Sequence, residues 1–383
     1  MSKKVAIVAG EASGDLIASH LLTQLKKKHP DIQFIGVGGP LMLSAGLRSL
    51  FPFDRLSLHG FGWDVIKQVP SLLRARRKLA KQIIHERPNV FIGVDAPDFN
   101  LGLERMIKKA GIPTVHYVSP SIWAWRKGRI SKIKKCVSRM LTLFPFESAL
   151  YQNKNIDVDY VGHPLADQYS LMPHTNIARE KLGLDETSSV IAILPGSRNS
   201  EVNMLADIML QTAAIIAEES PETIFLVPLI NRQTKALFEQ KMYGFFDTHR
   251  HLPTMRVMFG HSKLAMEASN VVLVASGTAT LEAALLKKPM VITYKVSWLS
   301  WQILSRLRYL SFVGLPNILA NESVVPELLQ SEAKPDLIAN ALIDLLHNNK
   351  RRKYIVEKFT DIHKMLRQNT EAKIAAIIDQ YLK

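Results

Sequence analysis

Residues 271–282 read VVLVASGTATLE. An uninterrupted apolar, mostly β-branched run ends in Ser276-Gly277-Thr278, and the chain then opens a helix. A strand that is apolar at every position is buried on both faces, as in a parallel sheet covered by helices. The same plan extends outward through VIAILPG (190–196), IFLVPLI (224–230) and MVITY (290–294), separated by amphipathic segments at 201–219, 231–243 and 279–287. The N-terminal half repeats it with VAIVAG (5–10), FIGVG (34–38), VFIGVD (90–95), TVHYVS (114–119) and LTLFPF (141–146), with helical patterns at 15–28 and 98–110. Strands alternating with helices define an α/β chain built on parallel sheets.

Two such sheets fit the 383 residues. The weakest segment is 163–189, HPLADQYSLMPHTNIAREKLGLDETSS, which is polar and carries two prolines. The domain boundary is placed there, giving an N-terminal domain over 1–165 and a C-terminal domain over 185–383. The tail after 335 reads as helical to the end and is assigned to the second domain. Two Rossmann-like domains facing each other across a cleft form the GT-B arrangement. Ligands of such sheets bind outside the carboxyl ends of the strands.

Composition excludes several classes. With 47% apolar residues the chain buries sizeable cores and is not disordered. No run approaches the roughly 18 apolar residues of a membrane span. The apolar stretch before Glu11 is too short for a signal peptide and reads as a first strand. One cysteine, Cys136, excludes an internal disulfide and a cysteine-cluster metal site. The net charge is +15, and it is uneven. Residues 1–165 hold 25 basic and 12 acidic side chains, a net +13; residues 166–383 hold 24 and 22, a net +2. That marks the N-terminal half as the one facing an anionic partner, with nucleic acid, an acidic membrane surface and a phosphorylated substrate all open, unless the excess charge serves solubility alone.

The residues after each strand carry the chemistry. Gly10-Glu11-Ala12-Ser13-Gly14-Asp15 makes a tight turn into a helix expected near Asp15 and lacks a dinucleotide or phosphate-loop fingerprint. Asp95-Ala96-Pro97-Asp98 offers two carboxylates at a strand tip for general-base work. Asp98 also suits capping of a helix starting at Phe99, which makes Asp95 the better base. Ser119-Pro120-Ser121-Ile122-Trp123-Ala124-Trp125-Arg126 sets aromatics beside a basic run. These could stack bases, line a sugar or lipid phosphate site, or simply pack. In the second half, LPGSR (194–198) delivers Arg198, whose planar guanidinium suits a paired grip on phosphate. The Ser276-Gly277-Thr278 turn offers helix N–H groups to a pyrophosphate, with Glu282 one turn on for a ribose.

The chain resembles the lipid-A-disaccharide synthase family, inverting glycosyltransferases of the GT-B fold. The resemblance lies in VAGEASGD (8–15), GVDAPDFN (93–100), HYVSPSIWAWR (116–126), GHP (162–164), LPGSR (194–198), ASGTATLE (275–282) and LPN (315–317), in that order. It implies transfer of 2,3-diacylglucosamine from its UDP derivative to 2,3-diacylglucosamine 1-phosphate (lipid X). The products are the β-1,6-linked disaccharide 1-phosphate of lipid A and UDP, for the outer membrane. It also implies that Arg198, Ser276, Gly277 and Thr278 hold UDP, that Glu282 holds its ribose and that Asn317 lies in the cleft. Glu11 and Asp95 fall on the acceptor side, and the base is left open among Asp95, Asp98 and Glu11. No cofactor and no metal ion are expected, because Arg198 and a helix N-terminus do what a divalent ion does elsewhere.

Residues 58–81, LHGFGWDVIKQVPSLLRARRKLAK, add a membrane argument. Phe61, Val65, Val69 and Leu72 recur at helical spacing with Ile66 and Leu73 adjacent, and Lys67, Arg74, Lys78 and Lys81 form a basic stripe. An apolar face beside a cationic one is the pattern of an interfacial helix. Core packing is the competing reading, and Pro70 is expected to kink the helix or to start a second one. Together with Trp123, Trp125 and Arg126, these residues predict acceptor binding at a cytoplasmic, peripheral inner-membrane location. Two rivals are a UDP-N-acetylglucosamine 2-epimerase of the same fold and a basic nucleic-acid-binding protein. The second leaves LPGSR and ASGTATLE unexplained, so no nucleic-acid partner is expected. A homodimer is left open.

Overall fold

The computed structural model describes residues 3–53, 63–122, 129–154, 156–249, 252–296, 301 and 311–382, and for 63–69 the backbone alone. The chain divides into two compact units, 1–167 with 366–383, and 168–365. The first boundary falls inside the expected 163–189 segment. The tail does not stay with the second domain: its last residues return to the first unit. Gly162 explains how. Its φ of +88° is open to glycine, and a Cβ there would stand 2.5 Å from Gln368 Cβ and 2.7 Å from the Leu366 carbonyl. Asp167 then accepts the N–H groups of Asn369 (2.9 Å) and Thr370 (2.7 Å) at the start of the helix Thr370–Ile378. The GHP motif is thus where the end of the chain is received.

Unit one holds β1 (Lys4–Ala9), β2 (Gln33–Val37), β3 (Leu47–Ser49), β4 (Val90–Val94), β5 (Thr114–Tyr117), β6 (Arg139–Thr142) and β7 (Asp157–Tyr160). They form one parallel sheet in the order β3-β2-β1-β4-β5-β6-β7. Val5 to Ala9 and Val90 to Val94 are buried, as their all-apolar sequences require. On one face Leu79, Ile83, Leu103 and Ile107 pack against Ala6, Val8 and Phe91. Each such side chain contributes roughly 1.5–3 kcal/mol by leaving water. The expected strand 141–146 ends at Thr142, and Pro145 opens a helix, Pro145–Tyr151. Proline is favoured there because its missing N–H has no helical partner anyway.

Unit two holds β8 (Val190–Leu194), β9 (Ile224–Leu229), β10 (Thr254–Phe259), β11 (Val271–Ala275), β12 (Met290–Tyr294) and β13 (Glu327–Leu329), parallel in the order β10-β9-β8-β11-β12-β13. The segment read as loop contains the short helices Pro164–Gln168 and Thr175–Lys181. Arg179, buried in the second, donates to the carbonyls of Ala268, Asp185 and Glu186 and to Asn270 Oδ1. That guanidinium ties the start of unit two to its sheet.

The helix Trp63–Glu86 runs unbroken through Pro70, where a kink or a second helix was expected. No helix among the described residues is long and apolar enough to cross a membrane. Leu72 packs against the unit-one core, which corrects its assignment to an outward apolar stripe. Leu73 is 38% exposed, and Arg74 is exposed beside it. Phe61 lies outside the described residues, as do the side chains of Val65, Ile66 and Val69.

Candidate functional site

Each sheet reverses its strand order once, between β1 and β4 in unit one and between β8 and β11 in unit two. The crevice beyond the strand ends at such a reversal is where open α/β sheets bind ligands. The register sets Ala9 beside Val94, and Leu194 beside Val274. Gly10-Glu11 and Asp95-Ala96 therefore share the first reversal, while Gly196-Ser197-Arg198 and Ser276-Gly277-Thr278 share the second. The candidate residues named from sequence thus gather at two places.

At the first, Glu11 is exposed and stands just before the helix Ala12–Lys28, which starts one residue after it and not near Asp15. Asp15 is buried, and its carboxylate accepts the N–H groups of Leu41 and Met42, both at 3.1 Å, at the head of the helix Pro40–Ser44. Asp95 and Ala96 both take left-handed backbone, at φ +50° and +43°. For side chains with a Cβ this costs on the order of 1–2 kcal/mol per residue, and such outliers persist where the surroundings hold them. Asn100 is that hold. Fully buried, its Nδ2 donates to the carbonyls of Val8 (3.3 Å), Val94 (3.1 Å) and Asp95 (2.8 Å), joining the ends of β1 and β4.

Asp98 does not cap the helix, which begins at Pro97 with Ala96 as its capping residue. Its exposed carboxylate instead receives a 2.7 Å hydrogen bond from Arg129 Nη2. The carboxylates of Glu11 and Asp95 make no hydrogen bond or ion pair among the described residues. Trp123, Trp125 and Arg126 lie outside them.

At the second reversal, Gly196 has φ +120°, and a Cβ would lie 2.5 Å from Glu201 Cβ. This close turn lets Glu201 Oε2 accept the N–H groups of Ser197 (2.9 Å) and Arg198 (3.3 Å) at the start of the helix Asn199–Glu219. Glu201 thus spends its carboxylate on the two N–H groups that lead into this helix. The Arg198 side chain stays 68% exposed, with Nη1 3.7 Å from Glu201 Oε1. The neighbouring helix, Thr278–Leu285, begins at Gly277 without any side-chain cap. Ser276, Gly277 and Thr278 thus present a positively polarised helix end at the same strand-order reversal as the exposed Arg198, a combination suited to phosphate.

Glu282, one turn along, is largely buried and accepts a 3.0 Å hydrogen bond from Tyr169. Burial raises its pKa, against lowering by the Tyr169 hydrogen bond and the Lys263 charge. Asn317 departs from expectation. It is fully buried, Oδ1 accepts the Val325 N–H at 3.0 Å, and Nδ2 donates to the Val325 carbonyl and to Glu327 Oε1. Glu327 in turn accepts the N–H groups of Val313 (2.8 Å) and Gly314 (2.9 Å). Asn317 therefore shapes a loop through Glu327, its amide being spent on the protein. Sequence reasoning gave no role to Tyr169, Glu327 or Asn100, although Asn100 closes the GVDAPDFN motif after β4.

Two parallel sheets, each with a strand-order reversal carrying polar groups, define a protein of the GT-B class. Solved structures agree on the fold. A putative UDP-N-acetylglucosamine 2-epimerase from Listeria monocytogenes aligns at TM-score 0.66 and 11% identity, covering 100% of this chain and 97% of that one. The Phytolacca americana UGT2 complexed with UDP-2fluoro-glucose and pterostilbene aligns at TM-score 0.64 and 12% identity, covering 100% of both chains. The sequence goes further: the profile of the family described as Lipid-A-disaccharide synthetase matches residues 5–378, and the chain belongs to that family. A lipid-A-disaccharide synthase from Methylobacillus flagellatus is 52% identical over 379 residues, 99% of each chain. One from Azoarcus sp. (strain BH72) is 49% identical over 382 residues, 100% of this chain and 97% of that protein. The chain is a glycosyltransferase of lipid A biosynthesis. The Listeria epimerase shares the fold with this chain at 11% identity, which speaks for the fold alone.

Proposed function

We propose that the chain transfers 2,3-diacylglucosamine from UDP-2,3-diacylglucosamine to the 6-hydroxyl of 2,3-diacylglucosamine 1-phosphate, with inversion. The observation that carries this reading is the polarity of the two reversals. Carboxylates with no partner among the described residues stand at one, and an exposed arginine with a helix end that no described side chain caps stands at the other. Asp95 removes the acceptor's proton as its oxygen attacks the anomeric carbon and the bond to UDP breaks. Its strained strand-tip backbone, held by Asn100, fixes where that carboxylate stands. Glu11 is its neighbour and second candidate. Asp98, ion-paired to Arg129, is the weaker one.

Arg198 and the backbone N–H groups of Gly277 and Thr278 receive the charge that grows on the leaving diphosphate, which is where fixed positive groups lower a barrier most. The Ser276 N–H is held by the Thr293 carbonyl, so Ser276 has its hydroxyl to offer. Glu282 accepts from the ribose, and Asn317 supports the site through Glu327. With these groups in place the reaction proceeds without a divalent ion. Activity that is lost on exhaustive chelation and restored only by Mg²⁺ or Mn²⁺ contradicts this.

Both substrates carry acyl chains and phosphate and so reside at a lipid surface. The helix Trp63–Glu86 serves as the contact with the cytoplasmic face of the inner membrane through Val65, Ile66, Val69 and Leu73, with Arg74, Arg77, Lys78 and Lys81 facing anionic headgroups. Mass spectrometry of products from purified protein given both acylated substrates tests the whole reading. The expected product is the disaccharide 1-phosphate with stoichiometric UDP; conversion of UDP-N-acetylglucosamine to its 2-epimer instead overturns it.

A further inference from the structure

Tyr169 is the second residue of unit two, far in sequence from the nucleotide motifs. Its ring is buried and its hydroxyl donates to Glu282 Oε2 at 3.0 Å. Lys263, on the helix Ser262–Ala268, places its ammonium 4.5 Å from the centre of the same ring. The three side chains form a layered set: a cation over an aromatic face, and the aromatic hydroxyl on a carboxylate.

This arrangement has a chemical consequence for Glu282. A carboxylate on the first turns of a short helix has rotamer freedom. A hydrogen bond from a buried hydroxyl removes much of it by fixing one oxygen. The other oxygen, Oε1, accepts no hydrogen bond among the described residues, so it is the one left for an incoming donor. Burial lifts the Tyr169 pKa above its ordinary value, and the Glu282 charge lifts it further. The phenol therefore stays a donor at neutral pH. A donor on Oε2 also keeps Glu282 an acceptor by favouring the ionised form.

We infer that Tyr169 is a positioning residue for the nucleotide: it holds Glu282 in the orientation in which Oε1 meets the ribose hydroxyls. The inference rests on the assignment of Glu282 to the ribose. It adds a residue from the start of the second unit to a site otherwise built from sheet-edge turns.

The test is calorimetric titration of UDP and of 2′,3′-dideoxy-UDP into the parent protein, Tyr169→Phe and Glu282→Gln. The readout is the ratio of the two affinities within each protein, which a reduced folded fraction does not change. The parent is expected to prefer UDP by about tenfold or more, the worth of hydrogen bonds to a charged group. Glu282→Gln is expected to lose most of that preference, and Tyr169→Phe to lose at least threefold of it while binding dideoxy-UDP as the parent does. If Glu282→Gln keeps the full preference, the ribose assignment itself fails. If Glu282→Gln loses the preference and Tyr169→Phe keeps it, the assignment stands and the role of Tyr169 is overturned. Equal weakening of both nucleotides by Tyr169→Phe likewise overturns it, since that is the signature of general support of the fold.

Discussion

The two sheets reverse their strand order in the same way but arm the reversal with opposite charge. Between β1 and β4 the strand ends carry Glu11 and Asp95, acidic groups with no partner among the described residues, and Asn100 holds the backbone of Asp95 in an unfavourable conformation. Between β8 and β11 they carry Arg198 and a helix end that no side chain caps. Within the second reversal, Glu201 accepts the two N–H groups that lead into one helix, whereas the other helix starts directly at a glycine. In the reaction proposed above, the first reversal removes a proton and the second stabilises the departing diphosphate. The difference lies in a few residues after each strand, while the strands themselves are nearly interchangeable apolar runs.

The contrast breaks most visibly at Asp95. Asp95→Asn keeps the shape and removes the base, so turnover should fall by about 10²–10⁴ with the thermal midpoint unchanged. Steady-state assay beside thermal unfolding checks this, and retention of more than a tenth of the activity assigns the proton to another group. Arg198→Ala should lower kcat by about 10²–10³, because a cation aimed at the leaving group acts chiefly in the transition state. A rise in KM alone would show that Arg198 serves ground-state binding only.

A third measurement concerns how unit one receives the end of the chain. His163 lies in the GHP motif, where its N–H bonds the Leu366 carbonyl and its Nδ1 accepts the Leu165 N–H. Burial pushes its pKa down to about 4 from 6.5. The unfolded chain thus takes up the proton first, and stability falls as pH drops from about 6.5 towards 4, then levels. By linkage the loss at pH 5 is about 2 kcal/mol. Urea unfolding at pH 7 and pH 5 should show a shallower pH dependence in His163→Gln; identical slopes would remove His163 from the account. The smallest effects separate neighbours on the helix Trp63–Glu86. Leu72→Ser should destabilise unit one by about 1–3 kcal/mol because it faces the core, and Leu73→Ser by less than about 0.5 kcal/mol. Only Leu73→Ser should weaken binding to anionic vesicles while leaving the unfolding midpoint in place.

What the sequence disclosed follows the physics of burial. Central strands such as Val190–Leu194 and Val271–Ala275 are apolar at every position and legible as such. The edge strands Asp157–Tyr160 and Thr254–Phe259 are half-exposed, and β3 and β13 are short; neither kind announces itself by hydrophobicity. The turns at Asp95, Arg198 and Ser276 were legible because glycine, proline and charge cluster after an apolar run. Tyr169 was not, because it acts on a carboxylate brought near only by folding; Asn100 sits inside a legible motif, but its bond to Val8, which ties β4 to β1, comes only with the fold. The return of residues 366–383 to unit one was hidden for the same reason: its cause is a glycine about two hundred positions earlier.

The central claim, that nucleotide binding belongs to one unit and proton removal to the other, is tested most directly by titrating UDP calorimetrically into Asp95→Asn and Arg198→Ala. The account predicts parental UDP affinity in Asp95→Asn and at least a tenfold loss in Arg198→Ala, the worth of one charge-assisted contact. Equal loss of affinity in the two variants would contradict it.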